Sequence, residues 1–153
     1  QGAELSSDAL AAILALPGLI SLDIESTCFD DRMAKTLSRS RTLTSLDIGA
    51  TRLTGAGLRH LLNMQQLRSL DLWATGITEA DLPCLLDLPG LESVSLGNYD
   101  GCRQLDPEAV CNFILRSPCL KRVWLDGIQL DAAQKEAVER KLDALHITSR
   151  ESA

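Results

Sequence analysis

Asp23, Asp47 and Asp71 recur at intervals of 24 residues, and Trp73 and Trp124 are the two tryptophans of the chain. Carboxylates repeated at a fixed step can line up as an acidic stripe, which would attract lysine or arginine from a partner. A cation is a poorer fit, because three monodentate acids on a flat surface make a weak cage. Tryptophan and tyrosine are amphipathic rings suited to binding hot spots, so Trp73, Trp124 and Tyr99 are candidate anchors. Arg122 and Asp126 complete the candidate partner-binding set. Plainer roles compete with these. The acids could be a repeated solubility device bonded to neighbouring serines or water, and each tryptophan could pack on a loop to shield its surroundings.

Covalent chemistry is poorly served. The two histidines, His60 and His146, fall on a helix and in the C-terminal tail, away from a serine or cysteine nucleophile with an orienting acid. Cys102, Cys111 and Cys119 are spaced by nine and eight residues, which matches no zinc-ligand pattern. Cys102 is the best candidate for a reactive thiol, with Arg103 its one obvious cationic neighbour. There is no phosphate-binding glycine loop after a strand. The expectation is a non-catalytic protein with no cofactor and no metal.

The elements that position these residues come from a repeat. The wording Leu-x-x-Leu-x-Leu-x-x-Thr-x-Leu appears as Leu19 to Phe29, Leu43 to Leu53 and Leu67 to Ile77, with degenerate copies from Leu91 and from Leu120. A fixed period of this size signals a solenoid, whose stacked units make an open surface. The second half of each unit carries apolar residues at helical spacing, with helix-start signals such as Thr78-x-x-Asp81, Asp106-Pro107-Glu108 and Asp131-x-x-Gln134. Strands are therefore expected near 20–24, 44–48, 68–72, 92–96 and 121–125, and helices near 8–15, 31–38, 55–63, 79–87, 107–116 and 131–143. Strands that recur in one direction with helices between them make a parallel sheet.

Alternation then exposes three columns on one sheet face: Ser21, Ser45, Ser69, Ser93, Arg122; Asp23, Asp47, Asp71, Ser95, Trp124; and Glu25, Gly49, Trp73, Gly97, Asp126. Repeat four departs from the pattern. It has Tyr99 in place of the threonine and gains five residues, so Asn98 to Gln104 is expected to bulge as a loop at the strand's C-terminal edge.

These residues resemble the leucine-rich repeat family, and the likeness runs from residue 5 to about 131. The helical second half and the wording Thr51-Arg52-Leu53-Thr54 and Thr75-Gly76-Ile77-Thr78 look like the subclass found in bacterial arrays and F-box adaptors. The family's usual asparagine or cysteine is Thr27, Thr51 or Thr75 here, whose hydroxyl is expected to bond a neighbouring turn's backbone. The resemblance implies an α/β horseshoe, with the parallel sheet on the concave face, helices on the convex face, and protein partners bound on the concave side.

The bulk composition agrees with this reading. Aromatic residues are 3% of the chain, so the core must be built from Leu, Ile and Val in thin layers. A net charge of −6 disfavours nucleic acid and anionic membranes as partners. Five cysteines at irregular spacing suit a reducing compartment, so the cytoplasm is the expected location. A signal sequence already removed would leave no trace, so secretion or delivery into a host stays open. Residues 1–146 are expected to form one domain, with a partial first repeat, a capping helix over 131–143 and a loose tail over 147–153. The first unit lacks its strand, as if trimmed from a longer array. The partner expected is a protein or peptide with a basic stretch and an apolar anchor. The alternative is a recognition arm or scaffold segment of a larger adaptor or bacterial effector whose activity lies elsewhere.

Overall fold

A computed structural model describes residues 4–99 and 102–148. Six strands form one sheet in sequence order: β1 (Ser21–Asp23), β2 (Ser45–Asp47), β3 (Ser69–Asp71), β4 (Ser93–Gly97), β5 (Arg122–Asp126) and β6 (Ala144–Thr148). Every neighbouring pair is parallel. Helix α1 (Ser7–Leu14) precedes β1; α2 (Asp31–Leu37), α3 (Gly55–Leu61), α4 (Pro107–Arg116) and α5 (Ala132–Glu139) return the chain between strands, and a 3₁₀ helix over Glu79–Asp87 does so after β3. The α/β solenoid expected from the repeat is present.

Burial explains the register. Leu22, Leu46, Leu70, Val94 and Val123 stack through the strand centres, and Leu43, Leu67, Leu91 and Leu120 stack before them; all are buried in one continuous core. A slip of one residue would turn each row outward, so the apolar spacing pins the pairing. Side chains start each helix. Ser6, Asp30, Thr54, Asp106 and Asp131 accept hydrogen bonds from first-turn backbone N–H groups, and Asp131 and Gln134 close a reciprocal capping box. On the helix side, α3 presses against both neighbours through glycine. A Cβ at Gly57 would lie 2.3 Å from Asp31 Oδ1, and one at Gly55 would lie 1.9 Å from Asp81 Oδ1.

The helix expected over 79–87 is present and takes the 3₁₀ form, with Pro83 inside it lacking an N–H for the carbonyl four residues back. One expectation is corrected. The tail is not loose from 147. Leu145 and Ile147 are half-buried against the core while His146 faces out, an alternation that adds β6 to the sheet. Ile147 and Thr148 belong to that strand, and 149–153 lie outside the described residues.

Candidate functional site

The sheet register assembles the expected columns. Ser21, Ser45, Ser69, Ser93 and Arg122 pair in one row, and β6 adds Ala144. Asp23, Asp47, Asp71, Ser95 and Trp124 pair in the next, and β6 adds His146. Gly97 pairs with Asp126 in the third.

The aspartates already have local partners. Asp23 Oδ1 accepts from Glu25 N at 3.0 Å, Asp47 Oδ1 from Gly49 N at 3.0 Å, and Asp71 Oδ1 from Trp73 N at 2.8 Å. Each carboxylate thereby closes an Asx turn at its strand end, a job that needs an oxygen acceptor two residues before an open N–H. The next residue takes the left-handed conformation: Ser26, Ala50 and Ala74 have φ of 56, 50 and 51°. Their N–H groups donate to the carbonyls of Gly49, Trp73 and Gly97 in the following repeat. The threonine hydroxyls bond within their own turn rather than a neighbour's. Thr27, Thr51 and Thr75 donate to Ile24, Ile48 and Leu72 at 2.7–2.8 Å, because the left-handed step folds each hydroxyl back over the carbonyl three residues earlier.

Asp47 lies at the centre of the acidic row. Burial pushes its carboxyl up to about 6, the Gly49 N–H opposes this, and the charges of Asp71, Asp23 and Glu25 add to the rise. Gly49 makes the crowding possible, since a Cβ there would sit 3.3 Å from Oδ1 of both Asp47 and Asp71.

The aromatics divide. Trp124 is half-buried and stacks on His146 with ring centroids 5.3 Å apart and planes 12° apart. Trp73, expected to be exposed, is only 5% accessible. The inserted residues of repeat four fold Tyr99 onto it edge-on, with centroids at 4.6 Å. Asp126 is corrected in the same way, with 1% exposure. The inserted segment covers its turn: Gln104 donates to the carbonyls of Asn98 and Tyr99, and its amide lies where a Cβ of Gly127 would fall, at 2.6 Å. Of the expected bulge, Asp100 and Gly101 lie outside the described residues. Arg122 is exposed, as the sheet alternation requires.

Two features escaped the sequence reading. A hollow of about 240 Å³ opens on the sheet face, with Asp47, Asp71, Ser95 and Trp124 in its walls. Ser95 was legible as a column member, but its burial was not. A groove of about 750 Å³ runs along the turns, bounded by Glu4, Cys28, Ala50, Arg52, Ala74 and Tyr99. It depends on the N-terminal segment, which Cys28 pins through two hydrogen bonds to the Leu5 backbone. No sequence signal marks that contact. All five cysteines are free thiols, and Cys102 is exposed. Among the described residues, no cluster of three His, Cys, Asp or Glu could hold a metal ion, and no helix is long and apolar enough to cross a membrane.

The model of the LRR repeats of FBD-associated F-box protein At5g56370 matches residues 7–142. Among solved structures, the Leiomodin-1 Actin-Binding Site 2 superposes with a TM-score of 0.68 at 14% identity, over 90% of this chain and 85% of its own. An internalin (inlF) from Listeria monocytogenes matches with a TM-score of 0.47 at 16% identity, over 94% of this chain and 49% of its own. No curated protein sequence matches the chain.

Proposed function

This chain belongs to the leucine-rich repeat family, and from that premise we propose that it is a non-catalytic module that binds a protein or peptide segment on its open sheet face. The observation that carries the reading is the column Asp23, Asp47, Asp71, Ser95, Trp124, His146, which crosses all six strands in register on the face that the helices leave uncovered. An extended segment lying across the strands would meet acid first and an aromatic stack last. The partner favoured is a peptide with a basic stretch over the aspartates and an apolar residue against Trp124. Arg122, exposed beside Trp124, adds a cationic rim. Trp73 and Asp126 leave the contact set, because both are buried. The leiomodin segment, named for its actin-binding site, lends this reading the precedent of a protein-binding surface on the same fold.

A net charge of −6 argues against nucleic acid or an anionic membrane as the partner. Five free thiols favour a reducing compartment such as the cytoplasm. The matched model describes the repeats of an F-box protein, which favours a second reading, the recognition arm of a larger adaptor.

Selection of displayed random peptides on the immobilised chain tests the proposal. Enriched peptides should carry arginine or lysine next to an apolar residue. Trp124→Ala should weaken them at least about ten-fold with an unchanged circular dichroism spectrum. Peptides indifferent to both Trp124→Ala and neutralisation of the three aspartates would overturn it.

A further inference from the structure

We infer that the hollow between β2, β3, β4 and Trp124 is a subsite for one arginine side chain of the partner, with Asp47, Asp71 and Ser95 as its hydrogen-bond acceptors and the Trp124 ring as its stacking wall. The inference rests on the open-face reading above and narrows it from a basic stretch to one side chain at one place.

Four observations converge. The first is the placement of the acids. Each carboxylate gives Oδ1 to a backbone N–H of its own turn, Asp47 to Gly49 and Asp71 to Trp73. Among the described residues, the second oxygen of each accepts no hydrogen bond. The glycine between them lets the two carboxylates converge, as the 3.3 Å approach of both Oδ1 atoms to the same virtual Cβ shows.

The second is Ser95. It is 5% exposed, its Oγ has no hydrogen-bond partner among the described residues, and it stands in the wall of the hollow between Asp71 and Trp124. A buried hydroxyl without a partner is costly, so its persistence at this spot points to a group that completes it. Its neighbour shows the contrast: the Ser93 hydroxyl is equally buried but donates to Ser69 Oγ at 2.9 Å.

The third is the ring. Trp124 stacks on His146 with one face, which fixes its orientation, and the same residue walls the hollow. A flat cation sliding along a tryptophan gains both stacking and cation–π attraction. The fourth is charge. Asp47 is held up at about 6 by burial and by the acids around it, and a cation beside it would relieve that repulsion.

The chemistry selects guanidinium over ammonium. Three acceptors lie on adjacent strands, about 4.8 Å apart, in a plane set by the sheet. Guanidinium offers five N–H donors in a rigid plane and stacks on indole while donating, whereas ammonium is a compact point charge with strong hydration. A hollow of about 240 Å³ accommodates the planar head group and part of its stem.

The test uses N-acetyl-arginine amide, N-acetyl-lysine amide and N-acetyl-citrulline amide, titrated into the ¹⁵N-labelled chain. Arginine should shift the Gly49 and Trp73 amides and the Trp124 indole N–H. Citrulline, of the same shape without the charge, should leave them in place, and lysine should bind at least about five-fold more weakly than arginine. Ser95→Ala, which removes a buried unpartnered hydroxyl and keeps the fold, should weaken arginine about five-fold. Asp47→Asn with Asp71→Asn should abolish the response while both backbone turns stay closed. Equal responses to arginine and citrulline, equal affinity for lysine, or shifts confined to other parts of the chain overturn the subsite. If arginine moves nothing while selected peptides still bind through Trp124, the subsite fails and the open-face reading stands. If peptides fail as well, both fall.

Discussion

In the first three rungs the turn after each strand bends through Ser26, Ala50 or Ala74, ordinary residues held at φ of 50–56°. In the later rungs the same task falls to glycine. Gly127 occupies the equivalent place after β5 with φ of 75°, and after β4 the positive angle moves one residue upstream to Gly97, at 127°. The early rungs repeat one set of bonds: aspartate to the N–H two residues on, threonine to the carbonyl three back, and left-handed N–H to the next repeat. The later rungs replace that set with an insertion, buried serines and an aromatic stack. The difference teaches where freedom lies in a stacked repeat. Identical turns reinforce one another and tolerate strain at a non-glycine residue, whereas a turn that must accommodate an insertion falls back on glycine.

Gly49 and Gly97 occupy the same repeat position and provide the sharpest test of that contrast. A Cβ at Gly97 would lie 1.9 Å from the Asp126 carbonyl oxygen, a backbone atom in the next strand, and would be strained by φ as well. A Cβ at Gly49 would meet two aspartate oxygens at 3.3 Å, which side-chain rotation can relieve. Gly97→Ala should cost about 3 kcal/mol or more in urea denaturation, and hydrogen exchange should show β5 and β6 opening first. Gly49→Ala should cost less than about 1 kcal/mol. Equal costs would break the comparison. The next effect in size belongs to the later half alone. Lys141 Nζ donates to the carbonyls of Ile114, Leu115 and Ser117, closing the C-terminal end of α4. Lys141→Met leaves those acceptors without their charged donor and should cost about 2 kcal/mol, read from the guanidinium midpoint.

The two halves also differ in how far their sequence could be read. The order and register of the first five strands and the membership of the first two columns were legible, because a leucine every few residues has only one way to face inward and the period fixes the rest. The acidic row was legible for the same reason. What failed were properties set by a distant segment. Trp73 sits at an outward strand position, but Tyr99, 26 residues later, covers it, and no local pattern announces that. Asp126, beside the turn at Gly127 that Gln104 of the insertion covers, is buried as well. The strand at 144–148 escaped because its apolar content, Leu145 and Ile147, is too brief to stand out beside a charged helix. Helical spacing over 79–87 was read correctly as a helix, but periodicity does not say which carbonyl each N–H meets, and Pro83 decided that.

The left-handed turns give a smaller and oppositely signed effect. Ala at φ near 50° costs about 1–2 kcal/mol relative to an unstrained residue, and glycine returns about 0.5–1 of that as chain entropy. Ala50→Gly and Ala74→Gly should therefore each stabilise by about 0.5 kcal/mol. Gly127→Ala should destabilise, since it adds the left-handed strain and brings a Cβ to 2.6 Å from the Gln104 amide. Thermal melts of the three variants check both signs. If Ala50→Gly destabilises, the repeated turn is not strained and the early rungs owe their regularity to something else.

The smallest effect tests the acidic row against the polar column that continues it. Asp47 has a carboxyl raised from 3.8 to about 6, first by burial and then by neighbouring acids. The folded chain therefore holds this proton more tightly than the unfolded chain does. Its contribution to stability is fully present below pH of about 4 and is lost as pH rises through about 6. Asparagine keeps an oxygen for the Gly49 N–H and discards the charge. Asp47→Asn should thus melt slightly higher than the parent at pH 7 and at the same temperature, or lower, at pH 4, so that the difference between the two curves changes mainly between about pH 4 and 6. Ser95→Ala, one strand further along but without a titrating group, should shift the melting temperature equally at every pH. A pH-independent difference for Asp47→Asn would mean that the carboxylates of the early rungs are screened from one another, and that the acidic row and the serine after it are electrostatically alike.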